Sequence, residues 1–229
     1  MIGILHDFLA LIYPDICQSC GNTLYRHENT ICTYCLFHLP KTNFHSQQDN
    51  PVEILFWGRS DIYSATACYY FHKGSKVQHL MHRFKYRNQK QIGVAIGYNY
   101  GKELKASPYF NTVEVIIPVP LHPKKQKIRG YNQSEMFADG LAKALNIPVN
   151  NRVLLRTFFS ETQTRKSRFA RWENVKAIFD VENEELSGKH LLLVDDVITT
   201  GATIEACVNS LKKTPGVKIS VAAIAFASS

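Results

Sequence analysis

The chain contains no apolar run long enough to cross a bilayer, which excludes a helical membrane anchor within it. The stretch from Met1 to Tyr13 is apolar but short. It is interrupted by His6-Asp7 and carries neither a basic leader nor a small-residue cleavage site. The expectation is a cytoplasmic protein that begins with a short amphipathic helix, built on Ile4, Leu5, Phe8, Leu9 and Ile12. Internal repeats and low-complexity tracts are also missing, so solenoids and tethers are excluded. Acidic residues are in deficit, 19 against 27 Lys and Arg, for a net charge of +8. That balance favours an anionic partner, either a phosphorylated metabolite or nucleic acid, and does not choose between them. What is present in quantity is core material: 45% of residues are hydrophobic and 11% aromatic, which excludes global disorder. A length of 229 residues suits one α/β domain with a small appendage.

Cysteine is scarce outside one cluster. Of six, Cys68 and Cys207 stand alone in apolar surroundings, while Cys17-x2-Cys20 and Cys32-x2-Cys35 form one tight pattern. Each Cys-x2-Cys turn places two thiolates on one side of a knuckle, and two knuckles complete a tetrahedron around Zn²⁺. Gly21 permits the tight turn after Cys20. Two disulfides or a redox pair are the rival reading, which a cytoplasmic setting disfavours. Four protein ligands leave no open position, so the zinc is expected to be structural and to support the folding of a small module. His27, His38 and His45 are surplus to the tetrahedron. The polar stretch Ser46 to Pro51 reads as a linker, dividing the chain into residues 1–50, with the helix and the four-cysteine zinc module, and residues 51–229.

Beyond the linker, strand and helix alternate. Ser64 to Phe71 reads as a strand, followed by helices over Lys76 to Tyr86 and Gln91 to Leu104. Then come a strand from Thr112 to Val119, a helix from Ser134 to Leu145 and a short strand from Val153 to Arg156. His190 to Val194 is a buried strand, Thr203 to Lys213 a helix and Lys218 to Phe226 a last strand. This order predicts a parallel sheet flanked by helices on both faces.

The most informative segment is Leu191 to Thr203. A continuous apolar run fits a central parallel strand. Asp195 and Asp196 follow where that strand is expected to end. Thr199, Thr200, Gly201, Ala202 and Thr203 then lead into an apolar-periodic helix. A loop between a strand end and a helix start aims several backbone N–H groups and the helix dipole at one point, which suits a phosphomonoester. Two carboxylates beside such a loop would repel phosphate, so they are expected to face neutral or cationic groups; ribose hydroxyls fit, since carboxylates accept from O–H donors. A plain turn or helix cap is the bland alternative for the acid pair.

Upstream, Ile116 to Ala138 holds a proline-stiffened strand exit at Pro118-Val119-Pro120, then Lys124, Lys125, Lys127 and Arg129 before Gly130. Arg with flexible Lys suits pyrophosphate, and a solvated basic loop is the alternative. A second polar segment, Phe158 to Asn174, carries Arg165, Lys166 and Arg168 as a candidate lid, with Phe169 and Trp172 as possible stacking or anchoring rings.

The Leu191–Thr203 segment resembles the phosphoribosyl-pyrophosphate (PRPP) signature of type I phosphoribosyltransferases. The wider order resembles the ComF/GntX family: zinc knuckles, a Lys85-Tyr86 helix, Arg129-Gly130-Tyr131-Asn132-Gln133, and a C-terminal PRPP motif. The resemblance implies a type I phosphoribosyltransferase fold. In it Asp195 and Asp196 would hold ribose hydroxyls, Thr199 to Thr203 the 5′-phosphate and Arg129 the pyrophosphate, with Mg²⁺ arriving on PRPP. It also implies a part in DNA uptake during natural transformation, with single-stranded DNA and a helicase as partners. A transferase acting on an unidentified nitrogen acceptor is the alternative. No base-reading motif is visible in the N-terminal half.

Overall fold

The stretch Leu191 to Val194 has no polar residue, so as a strand it requires cover on both faces. The computed structural model describes residues 13–157, 178–181 and 186–227. In it this stretch lies inside β5, His190–Ile198. Its parallel neighbours are β2, Val115–Pro118, on one side and β6, Lys218–Phe226, on the other; β1, Ser64–Tyr70, pairs with the far edge of β6. The sheet order is therefore β1-β6-β5-β2.

Alternate residues of the central strands feed two separate cores. Leu191, Leu193, Val221 and Ala223 face α7, Ala202–Leu211, together with Val52 and Phe56. Leu192, Val194, Ala222 and Ile224 face the opposite layer. That layer consists of α3, Lys76–Tyr86, α4, Gln91–Ala106, and α6, Gln133–Leu145. Helices α4 and α6 touch backbone to backbone. A methyl group on Gly97 would lie 2.3 Å from the Phe137 carbonyl oxygen, and one on Gly140 would lie 2.2 Å from that of Val94.

The sheet flanked by helices matches the expectation, and four details correct it. Strand β5 runs on to Ile198, so the twin acids lie within it rather than beyond it. The basic segment is a helix, α5, Pro123–Arg129, with proline in its first turn and Gly130 in the left-handed conformation at its end. The expected strand over 153–156 is β3, Leu154–Thr157, which pairs antiparallel with β4, Ile178–Val181, in a ribbon separate from the main sheet. The polar stretch after Ser46 is no loose linker. Asn50 is 2% exposed, donates to the Ala65 carbonyl at 2.9 Å and caps α2, Pro51–Ile54. The expected N-terminal helix and the candidate lid residues Arg165, Lys166 and Arg168 fall outside the described residues.

The cysteine module contains one short helix, α1, Thr33–His38. It does not bury a core of its own. Cys17, Ile31, Cys32, Cys35 and Leu39 pack in one continuous cluster with Val77, Leu80, Met81 and Phe84 of α3. The Arg83 guanidinium of α3 donates to the Gln18 carbonyl at 3.0 Å, between the first two cysteines.

Candidate functional site

The sheet creates an opening where β2 departs. Its last tie to β5 is the Val119 N–H donating to the Val194 carbonyl at 2.9 Å. From Asp195 to Ile198, β5 continues with β6 alone as partner. Ligands of open α/β sheets bind in such crevices, outside the carboxyl ends of strands whose neighbours diverge. Asp195 and Asp196 stand at its edge, both partly accessible.

Asp195 accepts from the Ser134 hydroxyl of α6 at 3.0 Å and from the Asp196 N–H at 2.8 Å. Burial, then the charge of Asp196, raises its carboxyl to about 7; those two hydrogen bonds and the Lys85 charge oppose the rise. Asp196 turns toward cations. Its Oδ2 lies 3.0 Å from Lys85 Nζ and 3.9 Å from Arg129 Nη1. The protein's own side chains supply the cations that face Asp196.

The Arg129–Gln133 string builds this side of the site. Arg129 donates to Gln133 Oε1 at 2.8 Å and lies over the Tyr86 ring, 5.7 Å from its centroid. The Tyr131 hydroxyl donates to the Phe84 carbonyl. Asn132 caps α6 through the Ser134 N–H and donates to the Val119 carbonyl at 3.0 Å, tying the strand exit to the helix. Lys124, Lys125 and Lys127 are exposed on α5, so only Arg129 of the basic run reaches the acids.

Sequence reasoning singled out Lys85 only within the Lys85-Tyr86 motif, with no role in the site, and missed Ser134. Lys85 is one position past Phe84 in the buried stripe Val77, Leu80, Met81, Phe84. A cation on the flank of an apolar stripe is the signal that could have found it. Ser134 lies in the first turn of α6 and carries no such mark.

The threonine loop forms the far wall. Gly201 has φ of 74° and is the N-cap of α7, with no side chain capping the helix. The first N–H groups of α7 thus lack the side-chain acceptor that caps α6. Thr199, Thr200, Ala202 and Thr203 are exposed, while Gly201 is buried. Glycine is needed here twice over: for its positive φ, and because a Cβ would come within 2.9 Å of the Phe56 ring. Arg59 braces the loop, donating to the Thr200 carbonyl at 2.9 Å and pairing with Glu205 at 2.5 Å.

The four cysteine Sγ atoms lie within 4.8 Å of one another. Cys20 Sγ and Cys32 Sγ are 3.8 Å apart. A tetrahedral zinc with Zn–S bonds of about 2.3 Å requires S···S separations of about 3.8 Å, so the set fits that metal. The Cys32 and Ser19 N–H groups donate to Cys17 Sγ at 3.2 and 3.4 Å. Burial pushes the Cys17 thiol up, but backbone donors from Cys32, Cys20 and Ser19 outweigh it and bring it down to about 7. Cys35 is pushed up to about 12, chiefly by burial. A metal would supply the charge that deprotonates the whole set.

A cleft of about 570 Å³ lies elsewhere. It runs between the cysteine module and α4, lined by His27, Lys90, Tyr98, Asn99 and Lys143, and includes none of the predicted PRPP residues.

Residues 132–229 match the family described as phosphoribosyl transferase domain. That match takes in α6, β5 with the twin acids, the threonine loop, α7 and β6. It is 35% identical to "Competence protein F" of Haemophilus influenzae, over 58% of this chain and 61% of that one. It is 28% identical to "DNA utilization protein YhgH" of Escherichia coli K12, over 86% of this chain and 83% of that one. It is 26% identical to "Competence protein ComFC" of Bacillus subtilis, over 86% and 78%.

Proposed function

We propose that this protein binds PRPP with Mg²⁺ at the β5–α7 junction and serves DNA uptake in natural transformation. The observation that carries the PRPP reading is the juxtaposition of two carboxylates, at the point where β2 leaves the sheet, with the α7 N-terminus, which lacks a side-chain cap. The 5′-phosphate fits the N–H groups and hydroxyls of Thr199 to Thr203. The ribose hydroxyls fit Asp195 and Asp196, and the pyrophosphate fits the side of the site where Arg129 lies. Mg²⁺ would be held chiefly by PRPP oxygens and water. The relatives' names, competence and DNA utilization, support the role in DNA handling. In this reading the protein is cytoplasmic, with single-stranded DNA and a helicase as partners. The cysteine module holds a structural Zn²⁺.

The alternative is transfer of ribose 5-phosphate from PRPP to a nitrogen acceptor. Asp195 and Asp196 would then stabilise the positive charge that develops on the ribose as pyrophosphate leaves. Calorimetric titration with PRPP and Mg²⁺ tests the binding reading. Saturable heat is expected from the wild type, and none from the Asp195→Ala Asp196→Ala double variant; equal heats from both would reject it. Pyrophosphate release across a panel of bases and amines separates transferase from binder.

A further inference from the structure

Lys85 reaches the twin acids from outside both loops that the sequence singles out. It lies in the last turn of α3, and its two neighbours are pinned. Phe84 is fully buried and its carbonyl accepts from the Tyr131 hydroxyl. Tyr86 carries the Arg129 guanidinium over its ring. The backbone beneath Lys85 is thereby fixed to the Arg129–Gln133 segment. Its ammonium lies 3.0 Å from Asp196 Oδ2, and the two side chains are only 21% and 15% exposed.

Pyrophosphate carries several negative charges, and bringing it next to Asp196 requires a cation between them. Arg129 is poorly placed to move. It is 3.9 Å from Asp196, donates to Gln133 and lies over the Tyr86 ring. Lys124, Lys125 and Lys127 are exposed on α5. An ammonium has three donors, and Asp196 uses one of them. We propose that Lys85 is a pyrophosphate-binding residue, its ammonium bridging Asp196 and the leaving-group end of PRPP. This rests on the PRPP reading of the site and adds a ligand that neither loop contains.

The test is calorimetry on the full chain with three probes, each with Mg²⁺: PRPP, inorganic pyrophosphate and ribose 5-phosphate. Lys85→Met is expected to weaken PRPP and pyrophosphate about 10- to 100-fold, the scale of one lost charge-assisted contact, and to leave ribose 5-phosphate within about 2-fold. Lys85→Arg, which keeps the charge, is expected to recover part of the loss, and thermal melting checks that both variants fold. Should Lys85→Met destroy the fold, the charge-neutral Lys85→Gln takes its place in the same titrations. Unchanged pyrophosphate affinity, or equal losses for all three probes, would overturn the proposal while the PRPP site stands. A wild-type chain that binds none of the probes would overturn both.

Discussion

The cysteine module and the carboxylate site are two ways of building a binding centre, and they differ in where their parts come from. The four thiols are supplied by 19 consecutive residues, Cys17 to Cys35, and their spacing alone dictates a tetrahedron. The carboxylate site draws on β5, α3, α5, α6 and the loop before α7, up to 111 residues apart for Lys85 and Asp196. A locally coded centre can be read from sequence, and where such a small module holds a metal it relies on that metal to persist. An assembled one is held in place by the surrounding core, and its own charges neutralise one another before any ligand arrives.

That contrast can be attacked at four points. Removing the metal has the largest expected effect. Because Cys17, Cys32 and Cys35 share a core with α3, Cys35→Ser or chelation is expected to lower Tm by on the order of 10 °C, measured by calorimetric melting. An unchanged Tm would mean the module stands without zinc.

Gly201→Ala comes next. The positive φ and the approach to Phe56 together predict a cost of about 2–4 kcal/mol in chemical denaturation, with loss of PRPP binding. Wild-type stability and binding would show that the phosphate loop is not built as described.

The size of the Asp195→Asn effect depends on pH. The folded carboxyl is raised to about 7, whereas an unfolded one ionises near pH 4, so the native state loses stability as pH rises between those values. The variant removes that penalty. It is expected to be more stable than wild type by about 1–3 kcal/mol above pH 7 and equal to it below about pH 4. Denaturation at pH 8 and pH 4 checks this, and a destabilised variant at pH 8 contradicts it. The smallest effect is assigned to Asn132→Ala, about 1–2 kcal/mol from the lost α6 cap and the lost tie to Val119.

The legible part of the fold followed from periodicity. The stripe Val77, Leu80, Met81, Phe84 and the unbroken apolar run of β5 announced their elements, and α3 and β6 have the bounds expected of them. Pro123 at a first helical turn and Gly130 as a C-cap are also local marks, but the lysine run between them obscured the helix. Polarity misled in the same way at Asn50, whose side chain is buried because it satisfies the Ala65 carbonyl and two α2 N–H groups. The placement of β3 beside β4 depends on a partner 20 or more residues away, and so does the pairing of Lys85 with Asp196. Tertiary contacts of that kind leave no local imprint.

The most direct measurement is a crystal structure of the full chain with Mg²⁺ and PRPP. The 5′-phosphate is predicted to lie against the N–H groups of Gly201, Ala202 and Thr203, with the ribose hydroxyls on Asp195 and Asp196. PRPP found instead in the cleft between the cysteine module and α4, with the twin acids untouched, would contradict the account.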